Sequence, residues 1–165
     1  MHTYVVLAYK ESSYLEECIK SVLNQKYPSK VVIATSTPND YIQNMANKYS
    51  LEVMINPNPG KGIGYDFDFA VSCGKTKLTT IAHQDDIYDY DYSDKIVKAY
   101  QKYPDSLIVF SDYYEIRDTG KVHSNTNLKI KRILLLPMRI KSLAKTKFGK
   151  RLSLRFGNAI SCPAV

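Results

Sequence analysis

A repeated alternation constrains the fold most: a short apolar run, then a stretch whose apolar residues recur at helical spacing. Tyr4-Val5-Val6-Leu7-Ala8 is almost uninterrupted apolar sequence, as expected of a strand covered on both faces. Leu15, Cys18, Ile19, Val22 and Leu23 follow at the spacing of a helix with one buried stripe, and Pro28 lies past its end. Ser13 and Glu16 stand at capping-box spacing at its start. The pattern then returns. Residues 31–34 read as a second strand, with Thr37 expected to cap a helix that has Pro38 at its first position and Ile42, Met45, Ala46 and Tyr49 inward. Residues 51–55 read as a third strand, 56–62 as a Pro- and Gly-rich loop, and Ile63, Phe67, Ala70 and Val71 as another helical stripe. Residues 78–82 read as a fourth strand. Ser93 is expected to cap a helix through Ile96, Val97, Tyr100 and Tyr103 that ends at Pro104, and residues 106–110 read as a fifth strand.

Apolar strands alternating with helices predict an α/β fold, a mostly parallel central sheet with helices on both faces. In such sheets ligands bind beyond the carboxyl ends of the strands. That rule directs attention to residues 9–11, 35–37 and 83–88, each of which follows a strand.

Charge divides the chain unevenly. Residues 1–118 hold 12 Lys and Arg against 16 Asp and Glu, whereas residues 119–165 hold 11 Lys and Arg and no acid. The change falls near a turn-like Asp118-Thr119-Gly120-Lys121, which suggests a core over 1–118 and a separate basic helical segment over 119–165. Residues 128–155 read as helical pieces with Ile130, Ile133 and Leu134 on a stripe, broken at Pro137. Basic amphipathic helices of this kind suit an anionic membrane surface. A nucleic-acid partner is not expected, since no motif of the usual modules is present and base-stacking aromatics in the tail are limited to Phe148 and Phe156. The longest apolar run, residues 133–136, is far short of the roughly 20 residues of a membrane span. Three scattered cysteines, Cys18, Cys73 and Cys162, lack metal-ligand spacing, and the start of the chain lacks signal-peptide features. A reducing, cytoplasmic setting is expected, with Cys18 in the core.

The sharpest chemical feature is His83-Gln84-Asp85-Asp86-Ile87-Tyr88. Two adjacent carboxylates at the end of a buried strand repel each other and lose hydration, a cost that a cation relieves. Oxygen ligands of this type suit Mg2+ or Mn2+, whose remaining positions are commonly filled by phosphate oxygens. A solvated acidic turn is the alternative, and Asp89, Asp91 and Asp94 nearby are compatible with it. The stretch lacks the central Gly and distal Glu of a calcium-binding loop. Gly60-Lys61-Gly62-Ile63-Gly64 lacks Walker spacing and reads as a flexible lead-in to a helix, with Lys61 able to reach a phosphate as a point charge. At the first strand's end Tyr9 can stack on a base, and Glu11 can accept from its ring N–H.

Together these segments resemble family 2 glycosyltransferases of the Rossmann-like GT-A fold, over roughly residues 3 to 116. The resemblance rests on residues 5–11, on Ser21-Val22-Leu23-Asn24-Gln25-Lys26-Tyr27, and on Gln84-Asp85-Asp86 followed by Tyr88. It implies that Ala8, Tyr9 and Glu11 wall a nucleotide base pocket, that Asp85 contacts the ribose or the metal-bound phosphates, and that Asp86 is the principal metal ligand. Asp66 and Asp68 fall in the segment where such enzymes usually have an Ala-Arg-Asn-like helix start, and are further candidates for the donor site. Where the family commonly has an Asp-rich loop after the second strand, this chain has Thr35-Ser36-Thr37-Pro38-Asn39-Asp40, so a hydroxyl at Ser36 would replace the base contact. His83 stands where the acidic triplet often begins.

The resemblance implies an inverting transfer from a nucleoside-diphosphate sugar, expected to be a UDP-sugar, to a saccharide or lipid-linked acceptor with Mn2+ or Mg2+. The contact through residues 128–155 would then be peripheral, at the inner face of the membrane. The family's base is a carboxylate in the second half, but no Asp or Glu follows Asp118. The catalytic residue is therefore unassigned, with Asp112 and Glu115 as substitutes that match no motif. Residues 161–165 read as an unfinished strand, so a truncated chain is expected. A nucleotidyltransferase is one alternative, although Tyr9-Lys10-Glu11-Ser12-Ser13 has no Gly for a triphosphate loop. A non-catalytic membrane or nucleic-acid binding module built on the tail is the other.

Overall fold

A computed structural model describes residues 1–118, 120–155, 157, 159 and 160. The chain forms two compact units, residues 1–109 and 110–165. In the first, β1 (His2–Ala8), β2 (Lys30–Thr35), β3 (Glu52–Ile55) and β4 (Leu78–His83) form a parallel sheet in the order β3-β2-β1-β4. Register pairs Val5 with Val32 on one side and with Ile81 on the other. Helices α1 (Leu15–Leu23), α2 (Asp40–Tyr49), α3 (Ile63–Cys73) and α4 (Tyr92–Lys102) alternate with the strands. This is the α/β arrangement read from the sequence.

Side chains alternate across the pleat and so divide the core in two. Tyr4, Val6, Ala8 and Ile33 are buried with Leu15, Cys18 and Ile19 of α1, Ile42 and Ala46 of α2, and Ile96 of α4. On the opposite face Val5, Val32 and Ala34 are buried with Ala70 and Cys73 of α3. Tyr4 makes edge-on contacts with His2 and Tyr88 at 4.6 and 5.4 Å. Cys18 is core, as expected, and burial first of all pushes its thiol up to about 12.

Several local expectations give way to longer-range contacts. Ser13 and Glu16 form no capping box: α1 begins after Tyr14 without a side-chain cap. Glu16 instead binds Lys20, Lys48 and the Tyr49 hydroxyl, tying α1 to α2. Asn39, not Thr37, caps α2 by accepting from the Ile42 N–H at 2.9 Å. Ser93 is not the cap of α4, which starts at Tyr92 after Asp91. Its N–H donates to Gln25 Oε1 and its hydroxyl to the Tyr27 carbonyl. In α3, Ile63 and Val71 are exposed and Cys73 takes the inward place. Residues 106–110 form no strand: Leu107 is fully exposed and Ile108 largely so, and β4 pairs only with β1 among the described residues. An apolar run indicates burial preference but supplies no partner edge.

His2 is buried on β1 with both ring nitrogens bonded, to Ser29 Oγ at 2.8 Å and Thr80 Oγ1 at 3.0 Å. Burial, and secondarily the N-terminal charge, lowers its pKa to about 4. The unfolded chain takes up that proton near the ordinary value of about 6.5. Between these values the unfolded state binds more protons, so stability falls as pH drops from about 6.5 toward 4. The expected loss is about 3 kcal/mol at most. Urea unfolding at several pH values checks it; His2→Gln should flatten the slope, and an unchanged slope would refute the assignment.

The second unit opens with a hairpin of β5 (Glu115–Arg117) and β6 (Gly120–Val122), with Gly120 at φ +103° in the left-handed region that suits glycine. The turn between them begins at Asp118, so the change of charge lies inside the hairpin and beyond the division at 109/110. Helices α5 (Thr126–Leu134), α6 (Leu136–Arg139), α7 (Lys141–Ala144) and α8 (Lys147–Leu154) follow. Pro137 does not break a helix from within. It sits in the first turn of α6, where its missing N–H is harmless. Asn125 and Thr146 cap α5 and α8. The strand expected over 161–165 lies outside the described residues. No helix among the described residues is long and apolar enough to cross a membrane.

Candidate functional site

Strand order decides where a cleft opens. The chain runs outward from β1 through β2 to β3, then returns to place β4 on β1's other side. The chain reverses direction across the sheet between β1 and β4, and in sheets of this kind a crevice opens at the carboxyl ends of the strands where the order reverses. A cleft of about 540 Å³ lies there, lined among others by Ala8, Tyr9, Ser36, Asp66, Gln84 and Asp85. Five expected residues thus meet: Ala8, Tyr9, Ser36, Asp66 and Asp85. Glu11 is exposed and does not line the cleft, nor does Asp68. Asp66 and Asp68 are two residues apart on α3, hence about 200° apart around the helix, so only one can face inward. Asp66 accepts from Asn56 Nδ2 at 2.9 Å.

The strand ends are tied together by side chains. Gln84 Oε1 accepts from the Tyr9 N–H at 2.9 Å, and its Nε2 donates to the Tyr9 carbonyl at 3.0 Å. Thr37 Oγ1 accepts from the Lys10 N–H at 2.6 Å, with Lys10 at φ 54°. Tyr9 is thus fixed from β4's end and its neighbour from β2's end. Gln84→Ala should leave the Tyr9 N–H protected roughly 30-fold less against hydrogen exchange, the effect of losing two bonds of about 1 kcal/mol each. Unchanged protection would show that the amide clamp does not hold this loop.

His83, Asp85 and Asp86 each offer a ligand atom, and these atoms lie within 4.8 Å of one another. Burial, and secondarily the Asp85 charge, raises the Asp86 carboxyl to about 6. Burial lowers the His83 pKa, against an opposing pull from Asp85. His83 Nε2 is buried without a hydrogen-bond partner, and the ring lies 5.1 Å from Phe67. The turn is held from below, where the Cys18 thiol donates to the His83 carbonyl and the Asp86 N–H to the same oxygen. Gln25 anchors the chain that follows: Nε2 donates to the Ser21 and Asp89 carbonyls, and Oε1 accepts from the Tyr4 hydroxyl.

Sequence reading underused the loop after β3. Gly60, Gly62, Ile63 and Phe67 also line the cleft, and Gly60 and Gly62 have φ of +80° and +100°. The lack of Walker spacing directed attention away from this loop, although it follows a strand as the other lining segments do. In the second unit Asp112 is paired with Arg132 and Arg139, and Glu115 with Arg117. Neither carboxylate is a free base.

The Glycosyl transferase family 2 profile matches residues 3–160. The chain belongs to this family. Among curated proteins no match is found. Solved structures share the GT-A fold. S. aureus TarS 1-349 gives a TM-score of 0.56 at 16% identity, covering 67% of this chain and 38% of that one. S. aureus TarS gives 0.55 at 14%, covering 80% and 30%. The mannosyltransferase PcManGT from Pyrobaculum calidifontis, in complex with GDP-Man and Mn2+, gives 0.52 at 21%, covering 71% and 36%. The family 2 chain thus spans 30–38% of the length of these structures.

Proposed function

We propose that the chain forms the donor side of an inverting glycosyltransferase, holding a nucleoside-diphosphate sugar in the cleft with Mn2+ or Mg2+ at Asp85 and Asp86. The supporting observation is the group His83, Asp85 and Asp86 at the end of β4, with Asp85 and His83 also lining the cleft. The donor set fits such an ion: two carboxylates in sequence, one raised by burial, and a histidine nitrogen buried without a partner. Bound there, the ion would supply positive charge to the leaving diphosphate.

The chain's own residues bind and orient the donor. Tyr9, half exposed at the cleft wall, offers a stacking face for the base, and Ser36 offers a hydroxyl. Gly62 precedes α3, whose N-terminal end favours an anion. The donor proposed is a UDP-sugar, and PcManGT bound to GDP-Man is the reason to test guanosine beside uridine. The acceptor proposed is a saccharide or lipid-linked hydroxyl, with residues 128–155 as a peripheral membrane contact. Calorimetry with UDP and GDP, each with Mn2+ or with a chelator, is the test. Saturable UDP binding lost on chelation is expected. Binding that ignores the chelator overturns the metal role, and tighter GDP binding overturns the uridine assignment.

A further inference from the structure

The second unit turns apolar side chains outward where a water-facing helix would carry polar ones. On α5, Leu128 is the buried residue, while Ile130 and Ile133 are 51% and 62% exposed with Lys129 beside them. On α8, Gly149 and Ser153 face inward, one turn apart. Phe148 and Leu154, 68% and 52% exposed, project outward among Lys147, Lys150 and Arg151. Leu136 and Ile140 continue the series between the two helices. Residues 119–165 carry 11 basic side chains and no acid. Lys141, Lys145, Lys147, Lys150, Arg151 and Arg155 are exposed, and no ion pair involves them among the described residues.

We infer that the outer face of α5 through α8 is a monotopic contact for an anionic lipid surface, with Ile133 and Phe148 entering the acyl boundary. This specifies the membrane contact proposed above and does not depend on donor binding. Charge selects the occupant. Helices that carry no carboxylate of their own, and six cations unpaired among the described residues, repel a second copy of themselves and attract a surface of phosphates. The interleaved side chains then favour lipid over nucleic acid. They are aliphatic apart from Phe148, the one ring among residues 124–155, whereas single-stranded nucleic acid is held by several stacking aromatics. Helices this short cannot span a bilayer, so the contact lies on the surface.

Co-sedimentation of the full chain with vesicles of phosphatidylcholine alone, and of equimolar phosphatidylglycerol and phosphatidylcholine, tests this. Binding to the anionic vesicles is expected to be at least about tenfold tighter and to weaken with salt. Phe148→Ser should weaken it roughly tenfold, as expected for one lost apolar insertion. A double Lys147→Glu, Arg151→Glu variant should abolish it. All three replaced side chains are exposed, and unchanged thermal melting verifies the fold. Equal binding to both vesicles, or none to either, overturns the inference. So does binding that Phe148→Ser leaves intact and a single-stranded oligonucleotide displaces, which marks a nucleic-acid surface. UDP calorimetry on the same variants separates the two readings, because loss of vesicle binding should leave nucleotide binding untouched.

Discussion

Asp86→Ala is expected to weaken Mn2+-supported UDP binding by about 100-fold or more, roughly 3 kcal/mol. Asp86 does not line the cleft, so on the proposed reading its effect passes through the ion it would hold with Asp85 and His83. Asp85 lines the cleft as well, so Asp85→Ala should weaken both metal and nucleotide. Mn2+ binding followed by electron paramagnetic resonance, with UDP followed by calorimetry, separates the two variants. A second outcome runs the other way. Without metal, Asp86→Ala removes one of two neighbouring carboxylates, the one most penalised by burial, and the variant should melt above the parent in chelator. Equal melting temperatures would show that the pair stores no repulsion. Lower stability at a site used for binding is a familiar compromise.

Tyr4→Ala is the second large effect, on stability. Tyr4 is fully buried on the central strand, in contact with the His2 and Tyr88 rings, and its hydroxyl donates to Gln25 Oε1 at 3.2 Å. Deleting a ring at such a position leaves a cavity and is expected to cost about 3–5 kcal/mol. Tyr4→Phe keeps the volume and loses one hydrogen bond, and should cost about 1 kcal/mol. Urea unfolding measures both. Similar losses for the two variants would place the value of Tyr4 in its hydroxyl instead of its ring.

β1 and β2 were legible because each is buried on both faces, and burial on both faces leaves an apolar run that needs no context to be read. The run at 106–110 has the same composition, yet Leu107 faces water; composition does not say whether an edge is available for pairing. Helix caps failed for a related reason. Ser93 and Thr37 have the chemistry of caps, but each is engaged by a residue far away in sequence, Tyr27 and Lys10 respectively. In the site, Asp85, Tyr9 and Ser36 were found by one geometric rule about strand ends. His83 and Gln84 were harder to assign, because their roles come from an unpartnered ring nitrogen and from two bonds to a backbone that sequence cannot show.

The strand order has a consequence for how the chain is made. β1 precedes the other strands of its sheet in sequence and lies inside the sheet beside β2, but its second partner is β4, and Tyr9 and Gln84 are 75 positions apart. At a ribosomal rate of about 5–20 residues per second, that partner arrives roughly 4–15 s later. During this interval an apolar strand with one open edge waits beside the ribosome, and the cleft lacks the wall formed by His83, Gln84 and Asp85. Co-translational chaperones would find their target in that interval, and the cleft is complete only when it ends.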